Sequence, residues 1–348
     1  MLKLYKKIFK ILCLLVSVFF LHSCTSQESI IVFKLSEQGL YERIDTIFIG
    51  VPLNMVMYED DLFIGDFHEP MIIKYHLADR KTDRFLLKGR GPGETLPPVI
   101  LCINSCEENK LFRYSKQLFD MGYYSLDMLP AFVPLFKLSY EYGEIIPFEK
   151  EQYLAEGMFK DGYRYRVLNT KGEIIHRFGD YPNFFDGENL IPIDARSMYH
   201  QASFANNHYQ QKLVSVSTHV LDIIDYSSGI MNGSINRIKL ASYDYEYTSG
   251  NFLSAKKKNG IIKGASEVAC DDQFIYILFN PGIVGEENKG INREIWIFDW
   301  SGKPIKRVTF DVNLDLVAKS TTINESPLYG LVSTNDGDEY VIVKITGL

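Results

Sequence analysis

The chain has 348 residues, of which 46% are hydrophobic and 23% are charged, and its formal net charge is -7. This composition excludes a disordered chain and is sufficient for a sizeable core. An acidic protein is a poor match for nucleic acid, because phosphate backbones bind basic surfaces. The 22 tyrosines and 23 phenylalanines favour strands.

The first 24 residues have the pattern of an export signal followed by a lipidation site. Four lysines precede an apolar run from Ile11 to Leu21, which is too short to span a bilayer and is typical of a secretory signal peptide. The stretch LHSC, ending at Cys24, resembles the lipobox of bacterial lipoproteins. The resemblance implies cleavage before Cys24, acylation of that residue and a stable anchor. The alternative is an uncleaved signal anchor with a chance cysteine.

We therefore predict three segments. Residues 1–23 are a lipoprotein signal peptide, residues 24–40 a lipidated tether, and residues 41–348 the folded domain. The protein is expected in the cell envelope, on the periplasmic side or the outer surface of the outer membrane, with its membrane contact through Cys24.

The remainder of the chain repeats a pattern of strand, acidic or amide turn, and strand. It is clearest in VMYEDDLFI, NSCEENKLF and VACDDQFIYI. Successive copies are separated by 49, 42, 60, 61 and 54 residues, and a four-stranded propeller blade needs roughly 40 to 50. The sequence thus predicts an all-β, six-bladed β-propeller. The six copies are marked by Leu62, Leu111, Tyr153, Leu213, Phe274 and Leu328.

The two ends of the domain predict how the ring closes. Only two strands follow Leu328, so the last blade lacks an outer strand, whereas one spare strand, 43–49, precedes the first blade. If the spare strand completes the C-terminal blade, no sheet edge is left open in the ring.

The stretch KGRGPGE, residues 88–94, is glycine-rich, but it is not a phosphate-binding loop. Such a loop needs a helix behind it, and Pro97 and Pro98 prevent one here. We expect a connection between the first and second blades, in which the glycines at positions 89, 91 and 93 supply unusual backbone angles. We infer no nucleotide site.

The same stretch resembles the GxGPGE signature of exported Bacteroidota proteins, the TolB-like or BF3164-like six-bladed lipoproteins. The resemblance extends over essentially the whole mature chain. It implies the fold and the cell-envelope location. It carries no catalytic residues, because no enzymatic activity is established for that family.

Connections between blades emerge on one face of a propeller, and three of them are long here. Loops held on a rigid scaffold often bind partners, so this face is the candidate surface for a protein or a glycan. Three tyrosines at alternate positions could stack on a sugar or form a binding hot spot, or could simply pack against a neighbouring blade. For Arg90 and Glu94 the alternative is a structural salt bridge within the glycine loop. The candidates are Arg90, Glu94, His68, His219, Tyr243, Tyr245 and Tyr247, with Lys116 and Arg293 nearby.

The propeller channel is the second candidate site. Asn104, Asn206 and Glu267 each precede their repeat marker by seven residues, with Asn54 one residue out of step. Oxygen ligands that converge on the axis could hold calcium, as in propeller lactonases. The alternative is that these polar side chains only hydrate the channel. The cysteines at 102, 106 and 270 are expected to be core residues, because an odd number with this spacing does not favour a disulfide.

The function expected from the sequence is that of a monomeric binding or scaffold module without a cofactor. The Gly-x-Ser-x-Gly and His-Glu-x-x-His motifs are missing, so we identify no catalytic residue. The alternative is a channel-centred, metal-dependent hydrolase or lyase, similar to the lactonases.

Overall fold

The computed structural model describes residues 31–91, 93–104, 107, 109–248, 254–287, 293–320, 326–334 and 339–348. Cys24, Cys106 and the segment 1–30 lie outside these residues. Residues Phe33–Leu348 form one compact unit. It consists of six antiparallel blades, and each blade runs from an inner to an outer strand.

The strands follow one another in blade order. Two strands come first, β1 (Leu35–Gln38) and β2 (Leu40–Phe48). Blade 1 contains β3 (Pro52–Tyr58), β4 (Asp61–Asp66), β5 (Ile72–His76) and β6 (Thr82–Phe85). Blade 2 contains β7 (Val99–Ile103), β8 (Lys110–Ser115), β9 (Asp120–Ser125) and β10 (Phe132–Lys137). Blade 3 contains β11 (Tyr142–Glu149), β12 (Gln152–Gly157), β13 (Tyr163–Leu168) and β14 (Ile174–Asp180).

The second half continues the pattern. Blade 4 contains β15 (Ala202–Asn207), β16 (Lys212–Ser217), β17 (Val220–Asp225) and β18 (Ser234–Lys239). A separate hairpin, β19 (Tyr245–Thr248) and β20 (Ser254–Lys257), follows. Blade 5 contains β21 (Ile262–Cys270), β22 (Phe274–Ile283), β23 (Glu294–Asp299) and β24 (Pro304–Thr309). Blade 6 contains β25 (Leu314–Lys319), β26 (Leu328–Ser333) and β27 (Glu339–Thr346).

Helices are short in the described residues. The α-helix α1 spans Ile193–Tyr199, and single 3-10 turns occur at Leu126–Met128, Glu188–Leu190 and Ile230–Asn232. No helix in this part of the chain is long and apolar enough to cross a bilayer.

The predicted repeat is confirmed in every blade. Each of the six repeat markers lies in the second strand of its blade, directly after the turn from the inner strand. The apolar faces of adjacent blades pack together to form the core. One core cluster joins blades 2, 3 and 4 through Phe112, Leu154 and Leu213.

The predicted closure is also confirmed. Strand β2 is the outer strand of blade 6 and pairs antiparallel with β27, from Leu40 opposite Thr346 to Phe48 opposite Glu339. The structured part begins earlier than residue 41, because β1 adds a parallel fifth strand to blade 5. The Phe33 ring also packs against Trp296, 5.1 Å between centroids.

Candidate functional site: the loop-rich face and the channel

The connections between blades and the loops between second and third strands lie on the same face, as expected. Their backbones are joined by hydrogen bonds: the amide of Lys116 donates to the carbonyl of Pro98 (3.1 Å), and that of Ala265 to the carbonyl of Thr218 (2.7 Å). We call this side the loop-rich face. It carries Lys116, His68, His219 and Arg293, as the sequence predicted.

The glycine loop connects β6 to β7 and contains no helix, as predicted. Only Gly93 of the described glycines there has a positive φ, +79°. Gly89 and Gly91 are needed for a different reason, because a Cβ at either position would lie within 3.0 Å of the Glu94 carboxylate. Glu94 accepts a hydrogen bond of 2.7 Å from the Gly91 amide. This bond, and not the expected pair with the exposed Arg90, fixes the turn.

The tyrosine stripe does not form an open binding surface. Tyr243 and Tyr245 are buried, and only Tyr247 is exposed. The hydroxyl of Tyr243 donates to the carboxylate of Glu188, 3.0 Å from either oxygen, and the ring of Tyr245 stacks on that of Tyr199 at 4.0 Å. The tyrosines therefore pack, as the alternative proposed, and they do so between an inserted segment of the face and the end of blade 4 at Val220 and His219.

Glu188 is the centre of this buried cluster, and nothing in the sequence pattern identified it. It is fully buried, and its carboxylate also accepts hydrogen bonds from His200 Nε2 (2.9 Å) and from the amide of Phe184 (2.8 Å). Its partners come from the connection between blades 3 and 4 and from the segment before β19. The cluster therefore holds the two longest connections of the loop-rich face together.

His219, a candidate contact residue, is buried in the same region. Its Nε2 donates to the carbonyl of Ile262 (2.8 Å), so its Nδ1 accepts from the hydroxyl of Tyr199 (3.1 Å). Burial lowers the pKa of His219 to about 4. Burial also lowers the pKa of His200 to about 4, against the opposing effect of Glu188. Both histidines are neutral at pH 7 and support the face from below.

What the face does present to solvent is a set of apolar side chains. Five of the six connections between blades each expose one, and the loop between β4 and β5 adds Phe67 next to the exposed His68. Leu190 is the most exposed, at 82%. The five are Val51, Leu87, Tyr140, Leu190 and Tyr247.

The channel candidates divide into two kinds. The amide of Asn54 bonds both the N–H and the C=O of Leu101, and that of Asn206 donates to the carbonyl of Phe148 (3.2 Å). These two asparagines thus connect neighbouring inner strands. Asn104 follows the end of β7 and does not line the cavity. Glu267 does line it.

The spacing of seven residues before each repeat marker did not identify two further residues of the channel. Glu144 of β11 and Lys116 line the same cavity as Glu267. The rule fails because the turn after the inner strand has two residues in blade 1 and six in blade 2. Residues that lie seven positions before their repeat markers therefore do not all lie at the same height along the channel axis.

The pKa values of the three carboxyl groups around Lys116 are raised. Burial raises the pKa of Glu267 to about 8, with a further increase from Glu144 and a decrease from Lys116. Burial likewise raises the pKa of Glu156, beside Glu144 on the adjacent strand, to about 8. Burial also raises the pKa of Glu144, against the effect of Lys116.

A metal centre is not evident from the described side chains, among which no group of three or more His, Cys, Asp or Glu residues is arranged to hold an ion. Cys102 and Cys270 are buried and unbridged, as expected of core residues.

The comparisons with known proteins agree with the architecture. Residues 33–319 match the family described as TolB-like 6-blade propeller-like. A search of the curated proteins finds no match.

Three solved structures resemble the chain at the level of fold. A Bacteroides fragilis protein named as exported has 10% identity and a TM-score of 0.56, covering 90% of this chain and 98% of that one. A Bacteroides vulgatus member of the DUF4221 family has 12% identity, a TM-score of 0.52 and coverages of 89% and 98%. An Agrobacterium tumefaciens protein named as calcium-binding regucalcin has 10% identity, a TM-score of 0.53 and coverages of 91% and 98%.

Proposed function

Because the chain belongs to the TolB-like six-bladed propeller family, we propose that it is an exported, lipid-anchored binding module whose loop-rich face binds a protein partner. The observation that supports this most directly is the set of five exposed apolar side chains, one on each of five connections between blades. Single exposed apolar residues are ordinary, but a set that recurs around one face marks an interaction surface.

The buried cluster under the face supports the same proposal. Glu188 and its partners hold two long connections in fixed positions, so the apolar side chains above them are presented on a rigid support. Preorganised loops lose less conformational entropy when a partner binds. A glycan is less well supported, because Tyr243 and Tyr245 are not available for stacking on a sugar. The proposal includes no resident metal, since the amides of Asn54 and Asn206 are already used within the protein.

The partner surface can be tested by photo-crosslinking in intact cells. A photoreactive residue at position 190 or 87 of the full-length protein should give one discrete crosslinked protein species. The matched controls are positions 209 and 231 on the opposite face, where Tyr209 and Met231 are 66% and 60% exposed. Leu87→Ser with Leu190→Ser should lower the crosslinked yield about tenfold or more when a third position on the face carries the probe. Equal crosslinking from both faces would contradict the proposal.

The anchor has its own test. Cys24→Ser should move the protein from the membrane fraction to the soluble fraction after export, because a single acylated residue carries the attachment. Cys270→Ser is the control, since that thiol is buried in the fold. Retention of the Cys24→Ser protein in the membrane fraction would instead support the uncleaved signal anchor.

A further inference from the structure

The channel contains a cavity of about 290 Å³ that all six inner strands line. Towards the loop-rich face its lining is charged or ionisable: Lys116, Glu144 and Glu267. Elsewhere the lining is mainly apolar and includes Met55, Cys102, Ile146 and Val317, and Lys319, which also lines the cavity, pairs with Asp271 (3.1 Å). The cavity is therefore amphipathic, with room for a small organic molecule.

Among the charged residues of the cavity lining, Lys116 indicates most about the kind of ligand that could bind. It is close enough to Glu144 and Glu267 to oppose the rise in the pKa of each. Within the described residues, however, its ammonium has no carboxylate oxygen within the 4.0 Å of an ion pair. A positive group in a cavity lining that pairs with none of the described side chains can form a charge-assisted hydrogen bond with a ligand.

The Lys116 ammonium in the cavity lining makes an anionic ligand a better match than a cation. The raised pKa of Glu267 favours its protonated form, which presents an O–H donor. Glu144 accepts a hydrogen bond from the Phe204 amide (3.1 Å), which holds its side chain at the cavity wall. A divalent cation in this place would lie beside the Lys116 ammonium, and the protonated carboxyl group would have to ionise first.

We propose that the channel binds a small organic monocarboxylate with an apolar body. The carboxylate lies between the ammonium of Lys116 and the carboxyl group of Glu267, and the apolar body contacts Met55, Ile146 and Val317. This site is distinct from the set of exposed apolar side chains, because its lining residues other than Lys116 lie on the inner strands of the blades.

Calorimetric titration of the full-length protein in detergent micelles tests the site, with benzoate as the probe and benzamide as its uncharged counterpart. Benzoate should bind, and benzamide should bind at least about tenfold more weakly. Lys116→Met should weaken benzoate by about tenfold or more. Lys137→Met, which removes an exposed lysine of the same blade, should leave the affinity unchanged. Circular dichroism of each variant establishes that it has folded.

The pH dependence separates a ligand contact from a structural role. The groups that face Glu267 are Glu144 of β11 and Lys116 of the loop after β8, while Cys270 and Lys319 line the cavity elsewhere. Above pH 8 Glu267 loses its proton, so the dissociation constant for benzoate should rise by up to about tenfold per pH unit. Glu267→Gln should still bind benzoate with a clearly weaker dependence on pH, and the remainder is expected from Glu156, whose pKa is also raised to about 8.

Three results would overturn the proposal. They are equal affinities for benzoate and benzamide, equal affinities in Lys116→Met and Lys137→Met, or a pH profile in Glu267→Gln identical to that of the unmodified protein.

Discussion

Asp222 is a buried charged residue whose hydrogen bonds connect two blades of the propeller. Its carboxylate is fully buried and accepts hydrogen bonds from Arg164 (2.9 Å), from the Tyr165 hydroxyl (2.7 Å) and from Arg237 (2.8 Å). Burial alone would raise the pKa of Asp222, but the two guanidinium groups hold it below its usual value. The contacts join β13 of blade 3 to β17 and β18 of blade 4.

Removing this carboxylate should be costly. Asp222→Ala leaves the buried guanidinium of Arg164 without its counter-ion, which costs about 3 to 5 kcal/mol of unfolding free energy. The control is Asp180→Ala: Asp180 also pairs with Arg237 (3.1 Å) but is 88% exposed, so its loss should cost less than about 1 kcal/mol. Urea unfolding of the full-length proteins measures both values. Equal costs would show that burial does not decide the strength of these pairs.

Individual site residues were harder to predict than strands, and the reason is physical. The burial of Tyr243 depends on Glu188, which lies 55 residues earlier in the chain. His219 was placed on the correct face, but no local pattern indicates that Tyr199 and Ile262 enclose it. Alternation reports which side of a strand a residue occupies, and it does not report what an inserted segment later covers.

At the scale of elements, the glycine loop shows how a short connection can be fixed without a helix. Gly89 donates its amide to the carbonyl of Thr95 (2.8 Å), and Gly91 donates to the side chain of Glu94 (2.7 Å). A Cβ at Gly89 would lie 1.9 Å from Oε2 of Glu94, and its three nearest contacts are all with that side chain. The absence of a side chain at Gly89 therefore makes room for the carboxylate of Glu94.

A double-mutant cycle tests this dependence. Gly89→Ala and Glu94→Ala should each cost about 1 kcal/mol of unfolding free energy, because each removes the Gly91 hydrogen bond. Together they should cost clearly less than the sum, since both remove the same interaction. The control is Gly93→Ala, where φ is +79° and no atom lies within 4 Å of the added Cβ. Its cost arises from the backbone and should add to that of Glu94→Ala. Additive costs for Gly89→Ala and Glu94→Ala would contradict the geometry.

Element order, in contrast with the sites, could be predicted because its signals are local. A short polar turn before the second strand is enough to locate a blade. The unpaired strand before blade 1 can complete only blade 6, which lacks an outer strand. The additional strand β1 was not predicted. Its four residues, LSEQ, are all exposed, so they lack the alternation that marks a half-buried strand.

At the scale of the whole molecule, three buried groups and the half-buried Glu267 give the stability an asymmetric dependence on pH. The pKa values of His200 and His219 fall from 6.5 to about 4 on folding. Between these values the unfolded chain binds more protons than the folded one, so acid destabilises the fold. The pKa values of Glu156 and Glu267 rise from 4.5 to about 8. Between those values the folded chain binds more protons, so raising the pH destabilises the fold.

The two effects oppose each other below pH 6.5, and only the second remains above it. We therefore expect the unfolding free energy to change little between about pH 4.5 and 6.5 and to fall between about pH 6.5 and 8. Each glutamate contributes at most about 2 kcal/mol between pH 6.5 and 8, and Glu267 contributes less because its side chain is only half-buried at the cavity. Urea unfolding of the full-length protein across this range gives the profile.

Two variants test whether Glu267 and Glu156 cause the decline in unfolding free energy between pH 6.5 and 8. Glu267→Gln cannot ionise, so the decline between pH 6.5 and 8 should become shallower, and Glu156→Gln should have the same effect. Glu246→Gln alters an exposed glutamate on the inserted hairpin and should leave the slope unchanged. A decline as steep in the double variant at positions 156 and 267 as in the unmodified protein would show that only other groups lose their protons there. In that case the proton on Glu267, and with it the donor proposed for a carboxylate ligand, would not exist at neutral pH.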